Sequence, residues 1–394
     1  MPIIDITRPS ATQSKALSEP PTTAKWLPAL KQILPVYLAT HIAFALLTLF
    51  APLFSLADFG TTTLPLHTLS ASWNRWDTGN YTTIATHGYA PHISLMAFFP
   101  LFPLLERAGT FFTHSPFVAG LLIANAADLI ALFALYELVR KDHGEQCAAR
   151  SVLYLSIFPS SFFLVAAYNE SLFLCLALLC FCQLRHGRFW LAGIFGFLAC
   201  LTRSTGIFLL FPIVYVYLCG RQLRFDILAL TLPLLGITAY SWYCSVIFGD
   251  SLAWEHAQVF WHHQFHFPWE TLLITLKAIK HSPGLLSFQA LHNCLDLASI
   301  LFALAMLVIG IRRPPRLYLV YAVPLLLFVL SVPIVGNSPI PLQSMPRYAL
   351  ELFPVFIIAG LLGKHRWFHD SYLLLSGALL FVSCMLFLAG HWMV

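Results

Sequence analysis

Charge is scarce in this chain: Asp, Glu, Lys and Arg together are 10% of 394 residues. A water-soluble globule carries about a quarter of its residues as charges, so a large solvated surface is excluded. Also missing are alternating apolar and polar segments of roughly ten residues, which excludes a membrane β-barrel. No CxxC pair, His/Cys metal signature, Walker loop or dinucleotide glycine loop occurs. Asp-x-Asp pairs are absent from the outer loops, so a divalent metal is unsupported and no cofactor is expected. Residues 1–24 lack an apolar core and are rich in Pro, Ser and Thr, so no cleavable signal peptide is expected there, and a disordered cytoplasmic tail over 1–30 is suggested.

What is present is apolar. Hydrophobic residues are 59% and mean hydropathy is +0.77, and runs long enough to cross a bilayer recur along the chain. Only helices can then satisfy the backbone in lipid. The expectation is an all-α polytopic membrane protein with about eleven crossings, at 31–55, 116–139, 149–166, 169–184, 189–201, 205–219, 226–248, 289–311, 317–335, 347–363 and 371–392. The two halves of 189–219 are short and read as broken or tilted helices lining a cavity. Nine cysteines read as small core residues, with Cys147 in a basic loop.

This scheme puts sixteen of the 22 Lys and Arg residues on the side of the N-terminus. The positive-inside rule therefore places that side in the cytoplasm, and the net charge of +5 reports topology rather than nucleic-acid binding. Six cations remain on the far side: Arg75, Arg107, Arg203, Lys277, Lys280 and Arg347. Extracytoplasmic loops are expected at 56–115, 249–288 and 336–346, with 31–394 forming one transmembrane domain.

The first loop holds Trp73-Asn74-Arg75-Trp76-Asp77-Thr78-Gly79-Asn80-Tyr81. An acid among tryptophans at a membrane edge is a candidate for chemistry; the alternative is an interfacial aromatic belt whose Asp caps a helix. The run 97–105, closed by Glu106-Arg107, fits an interfacial helix. In the second loop His262, His263 and His266 invite a zinc reading, but their spacing departs from zinc-site patterns. His256 or His263 is available there to hydrogen-bond a lipid phosphate or a sugar. Arg203 and Arg347 place fixed charge where the bilayer disfavours it, suiting a phosphate at the membrane surface, with snorkelling as the alternative. Asn125 and Asp128 read as an interhelical polar clamp. Asn80-Tyr81-Thr82 and Asn169-Glu170-Ser171 match the glycosylation sequon by chance.

In order along the chain, Arg75-Trp76-Asp77 with Tyr81, Ile84-Ala85-Thr86-His87-Gly88-Tyr89, the 97–104 run, Phe158-Pro159-Ser160, Tyr168-Asn169-Glu170-Ser171, Thr202-Arg203-Ser204-Thr205-Gly206 and Pro346-Arg347-Tyr348 resemble the PIG-V-type mannosyltransferases. These are relatives of GPI mannosyltransferase 2 among the integral-membrane GT-C glycosyltransferases. The resemblance covers about residues 73 to 358.

It implies a GT-C-like bundle whose large first extracytoplasmic loop carries the catalytic acid, here Asp77. It further implies a polyprenyl- or dolichyl-phosphate sugar donor and a lipid-linked or glycan acceptor reached from the same leaflet. The compact chain favours a prokaryotic plasma-membrane homologue, with the endoplasmic reticulum membrane as the eukaryotic counterpart. The chemistry needs a base for the acceptor hydroxyl and cations for the departing phosphate, so Asp77 is the expected base, with inversion, and Arg347 and Arg203 hold the phosphate. Arg75, Trp76, Tyr81, His87, Glu170, His256 and Tyr348 are the expected substrate contacts. The competing reading is a transporter or lipid flippase with intramembrane Arg and Asp along its path, against which stand the missing internal repeat and the one-sided charge.

Overall fold

A computed structural model describes residues 26–54, 66–89, 93–220, 225–312, 315–336 and 339–392. The tail expected over 1–30 therefore falls almost wholly outside the described residues. Helix α1, Trp26–Phe50, begins a few residues before the expected span. Among the described residues there is no strand, and extended pairing is limited to a bridge between His263 and Ile334.

The helices follow the apolar runs. They are α2 (Asp77–His87), α3 (Leu101–Thr113), α4 (Pro116–His143), α5 (Glu145–Ser156), α6 (Glu170–Arg185), α7 (Phe189–Thr202), α8 (Leu210–Cys219), α9 (Thr231–Phe248), α10 (Pro268–Lys280), α11 (Phe288–Gly310), α12 (Arg316–Leu330), α13 (Met345–Glu351), α14 (Pro354–Leu362) and α15 (Arg366–Leu388). Shorter pieces cover Leu66–Ala71 and Ala253–His256. Among the described residues, five stretches are long and apolar enough to cross a bilayer: Leu27–Phe50, Pro116–His143, Phe225–Phe248, Phe288–Gly310 and Arg366–Leu388. The bent pair α13–α14 makes a sixth. The chain is an integral membrane protein, but the expected count of eleven is not met by length and composition.

The shortfall has identifiable causes. The stretch 149–166 is not one span: α5 stops at Ser156, because Pro159 disfavours helical backbone at Phe158, and a 3₁₀ turn at Ser161–Leu164 follows. The run 347–363 is cut by Pro354, and its two pieces meet at 82°. Helix α6 has 16 residues and is buried on most of its circumference, so it is a core helix that needs little lipid contact. It packs against α4, α7 and α13.

Many large apolar side chains face outward, as the lipid-facing side of a membrane protein does. Helix α3 turns Leu104, Phe111 and Phe112 outward while Glu106 is fully buried. Lipid solvates the apolar face, and the carboxyl faces α4. All nine cysteines are free, and Cys147 is buried in α5 rather than lying in a loop. Asn125 does clamp helices: its Oδ1 accepts from His41 Nε2 at 2.6 Å, and its Nδ2 donates to the carbonyl of Val165 at 3.0 Å. Asp128 is buried without a hydrogen-bond partner for Oδ1.

Two ends of the bundle are distinguishable. At one, Asp142 at the end of α4 accepts from Arg185 of α6 and, at 2.8 Å, from Tyr318 of α12. At the other, Trp73 Nε1 donates to Thr48 near the end of α1 at 2.9 Å, and Arg75 reaches the carbonyl of Leu388 at the end of α15 at 3.5 Å. The candidate site lies at this second end.

Candidate active site

Asp77 opens α2, where the free backbone N–H groups of a first helical turn favour a carboxylate. The residue before it is held unusually: Trp76 has φ 51°, a strained region for a bulky side chain. One side chain secures that turn. The Tyr168 hydroxyl donates to the carbonyl of Arg75 at 3.0 Å and accepts from the Asp77 N–H at 3.3 Å.

Two chain breaks bring the cations in. Helix α7 ends at Thr202, Arg203 is extended, and a 3₁₀ stretch Ser204–Leu209 resumes the path. The two halves of 189–219 are therefore separate pieces meeting at the arginine. Asn169, just before α6, donates to the Thr202 carbonyl at 2.8 Å and accepts from Arg203 Nη1 at 2.8 Å. The 82° bend between α13 and α14 leaves α13 as a short helix presenting Arg347 and Glu351, one turn apart, on its buried side.

The charged groups form one network. Arg347 Nη1 donates to Asp77 Oδ2 at 2.8 Å, while its Nε and Nη2 donate to Glu170 Oε1 at 2.8 and 2.5 Å. Arg203 Nη1 donates to the same Glu170 oxygen at 2.9 Å, and its Nε is charge-paired with Glu351 Oε1 at 2.8 Å. Aromatic faces complete the cage: Arg347 lies 4.9 Å from the centre of Phe163 and 5.0 Å from Tyr168, and Arg203 lies 5.1 Å from Tyr348. Three carboxylates against two guanidiniums leave an excess negative charge when all are ionised.

Above the network opens a cavity of about 510 Å³. Asp77, Arg203, Arg347, Trp76, Tyr81 and Tyr348 line it. Glu170 lies beneath, 1% exposed, and reaches the cavity through the arginines. Tyr81, one turn after Asp77, is buried edge-on against Phe98 and Phe102; burial among these rings raises its phenol pKa. Trp76 packs edge-on against Trp392 at 5.2 Å, so the end of the chain supplies part of the wall.

Three expected contacts are elsewhere. Arg75 turns from the cavity to pack against Gly390 and the end of α15. His87 is exposed at the end of α2 beside Thr86. His256 is exposed and paired with Asp250 at 2.7 Å, a partner that raises the imidazole pKa and lowers that of the carboxyl. Two of the three close histidines take separate partners, His263 Nδ1 at the Val332 carbonyl and His266 at 3.6 Å from Glu270, while His262 occupies a left-handed turn. Of the two sequon asparagines, Asn169 is buried in the network and Asn80 lines the cavity.

Sequence reasoning passed over Glu351, Tyr168, Asn169 and Trp392. Glu351 had a signal, since it lies four residues after Arg347 on an apolar helix; the other three are brought to the site by contacts far apart in sequence.

Residues 98–248 match the family model described as dolichyl-phosphate-mannose-protein mannosyltransferase. GPI alpha-1,6-mannosyltransferase 2 of Rattus norvegicus is 32% identical over 165 residues, covering 39% of this chain and 33% of the rat protein. The Mus musculus protein of the same name gives the same values. The chain thus spans about a third of the length of the curated relatives it matches. Among solved structures, ArnT from Cupriavidus metallidurans bound to undecaprenyl phosphate aligns with a TM-score of 0.48 at 14% identity, over 84% of this chain and 62% of that one. The Archaeoglobus fulgidus oligosaccharyltransferase in complex with zinc and sulfate aligns with a TM-score of 0.42 at 12% identity, over 89% and 53%. Over about two fifths of its length the chain is a sequence relative of the GPI mannosyltransferase 2 proteins, and the group its motifs resemble is the one the comparison finds.

Proposed function

We propose that this protein is an integral-membrane glycosyltransferase that moves mannose from a polyprenyl- or dolichyl-phosphate donor to a hydroxyl of a lipid-linked or glycan acceptor. The observation that carries this reading is the meeting of Asp77, Arg347 and Arg203, from three distant parts of the chain, on one cavity at one end of an apolar bundle. Buried ionisable groups in a membrane protein are costly and mark function.

In the resting site Arg347 is shared between Asp77 and Glu170. An arriving donor phosphate competes with Asp77 for Arg347 Nη1, and Arg203 Nη2, free of hydrogen bonds among the described residues, supplies further N–H donors. Asp77 is thereby released as a base while the guanidiniums stay with the phosphate. The acceptor oxygen then attacks C1 of mannose, its proton passes to Asp77, and the C1–O bond breaks with its electron pair leaving on the phosphate. One displacement inverts the anomeric centre. Glu170 and Glu351 hold the arginines in place, and Trp76, Tyr81 and Tyr348 line the sugar's path.

The opposite end of the bundle carries Arg140, Lys141, Arg185 and Arg188, which supports a cytoplasmic N-terminus and an extracytoplasmic site. The deciding experiment incubates purified protein in liposomes with polyprenyl-phosphate mannose and mannosyl-lipid acceptors. Transfer with inversion, read by mass and by anomeric NMR, is the expected result; movement of lipid across the bilayer without transfer would contradict it.

A further inference from the structure

The cavity has a wall that the transfer chemistry leaves unused: Gln258, Trp261 and His263. These belong to the stretch after Ala253–His256, where a 3₁₀ turn at Ala257–Trp261 runs into the left-handed His262. The stretch is tied to 331–335 by backbone bonds. His266 N–H donates to Ser331 at 2.9 Å, Gln264 N–H to Pro333 at 3.1 Å, and Val335 N–H to the His262 carbonyl at 3.0 Å.

That anchoring fixes the chemistry of His263. Its Nδ1 lies 2.9 Å from the Val332 carbonyl, which can only accept, so Nδ1 carries the hydrogen. The lone pair is then on Nε2, which has no hydrogen bond among the described residues. Burial lowers the pKa of this imidazole and keeps it neutral. Trp261 is 40% exposed and braced edge-on by Phe98 at 5.9 Å, leaving an indole surface available. The wall therefore offers a flat aromatic surface, an amide and a hydrogen-bond acceptor, and no charge. An aromatic face suits the C–H side of a sugar ring, and amide and imidazole suit its hydroxyl rim. The donor's phosphate belongs with the guanidiniums of Arg203 and Arg347, so the uncharged wall is left to the other substrate.

We propose that Gln258, Trp261 and His263 form the acceptor subsite, taking a neutral hexopyranose that stacks on Trp261 and donates a hydroxyl hydrogen bond to His263 Nε2. This rests on the reading of the cavity as a site of sugar transfer.

The test uses His263→Asn, whose amide retains a donor for the Val332 carbonyl but lacks the Nε2 lone pair, and Trp261→Leu. Octyl α-D-mannopyranoside is the acceptor probe and polyprenyl-phosphate mannose the donor. Each variant is expected to raise acceptor KM by about tenfold, with donor KM and melting temperature unchanged. An unchanged acceptor KM, or a rise confined to donor KM, overturns the assignment. Failure of the wild type to transfer mannose counts against the proposed reaction and not against the subsite. In that event calorimetric titration of octyl mannoside into wild type and variants still decides: lost binding in both variants supports the subsite, and equal binding refutes it.

Discussion

Glu170 carries more of the site than its 1% exposure suggests, because one of its oxygens accepts from both Arg203 and Arg347. Removing one partner from a buried ion network leaves charge uncompensated, at about 3–5 kcal/mol. Glu170→Gln should therefore lower the melting temperature in detergent and reduce transfer, whereas a conservative change at exposed His87 should alter neither. Tyr168 works at longer range, pinning the strained Trp76 turn through the Arg75 carbonyl and the Asp77 N–H. Tyr168→Phe keeps the ring against Arg347 and removes the hydroxyl, so kcat should fall about tenfold with donor KM nearly constant, as initial rates would show. Asp77, Arg203 and Arg347 were legible in the sequence, because an ionisable group between apolar runs needs a reason. Arg75, His87 and His256 do not line the cavity, because sequence proximity to a motif does not fix where a side chain points; Arg75 is two residues from Asp77 and faces the end of α15.

Helix breaks, rather than helices, position the chemistry. Arg203 is aimed by the gap between α7 and the 3₁₀ stretch, and that gap is tight: a Cβ on Gly206 would lie 2.5 Å from the backbone of Ala199 and Cys200. Gly206→Ala should displace the arginine and destabilise the protein by about 1–3 kcal/mol, measurable by thermal unfolding, with activity falling more than stability alone accounts for. The break at Arg203 was legible because the arginine interrupts an apolar run, whereas the break at Pro354 was not, since 347–363 reads as one span, and its 82° angle depends on how each piece packs. The run 97–105 was read as an interfacial helix closed by Glu106-Arg107, but α3 runs from Leu101 to Thr113 through that pair, and the inward turn of Glu106 was not legible. Burial raises that carboxyl to about 9. Such a group binds its proton more tightly folded than unfolded, so stability is full below about pH 4.3 and is lost as pH rises towards the folded value, at up to about 1.4 kcal/mol per pH unit. Glu106→Gln should flatten that part of a stability profile measured between pH 5 and 9 in steps of about one unit.

At the scale of the molecule, hydropathy alone established a helical membrane protein, and the bilayer leaves no other way to satisfy the backbone. The number of crossings was not legible, because a buried core helix such as α6 is as apolar as a lipid-facing one and differs only in its neighbours. The meeting of Asp77 with Arg203 and Arg347 was expected from their motifs, but the ion network through buried Glu170 that holds them was hidden, being made by contacts between residues 77, 170, 203 and 347. The most direct measurement is the rate of mannose transfer from polyprenyl-phosphate mannose by Asp77→Asn in liposomes, beside its affinity for the donor. Loss of the base predicts a rate lower by about 10²–10⁴-fold with donor affinity retained, since Arg203 and Arg347 remain. A variant that transfers mannose at the wild-type rate would contradict the account.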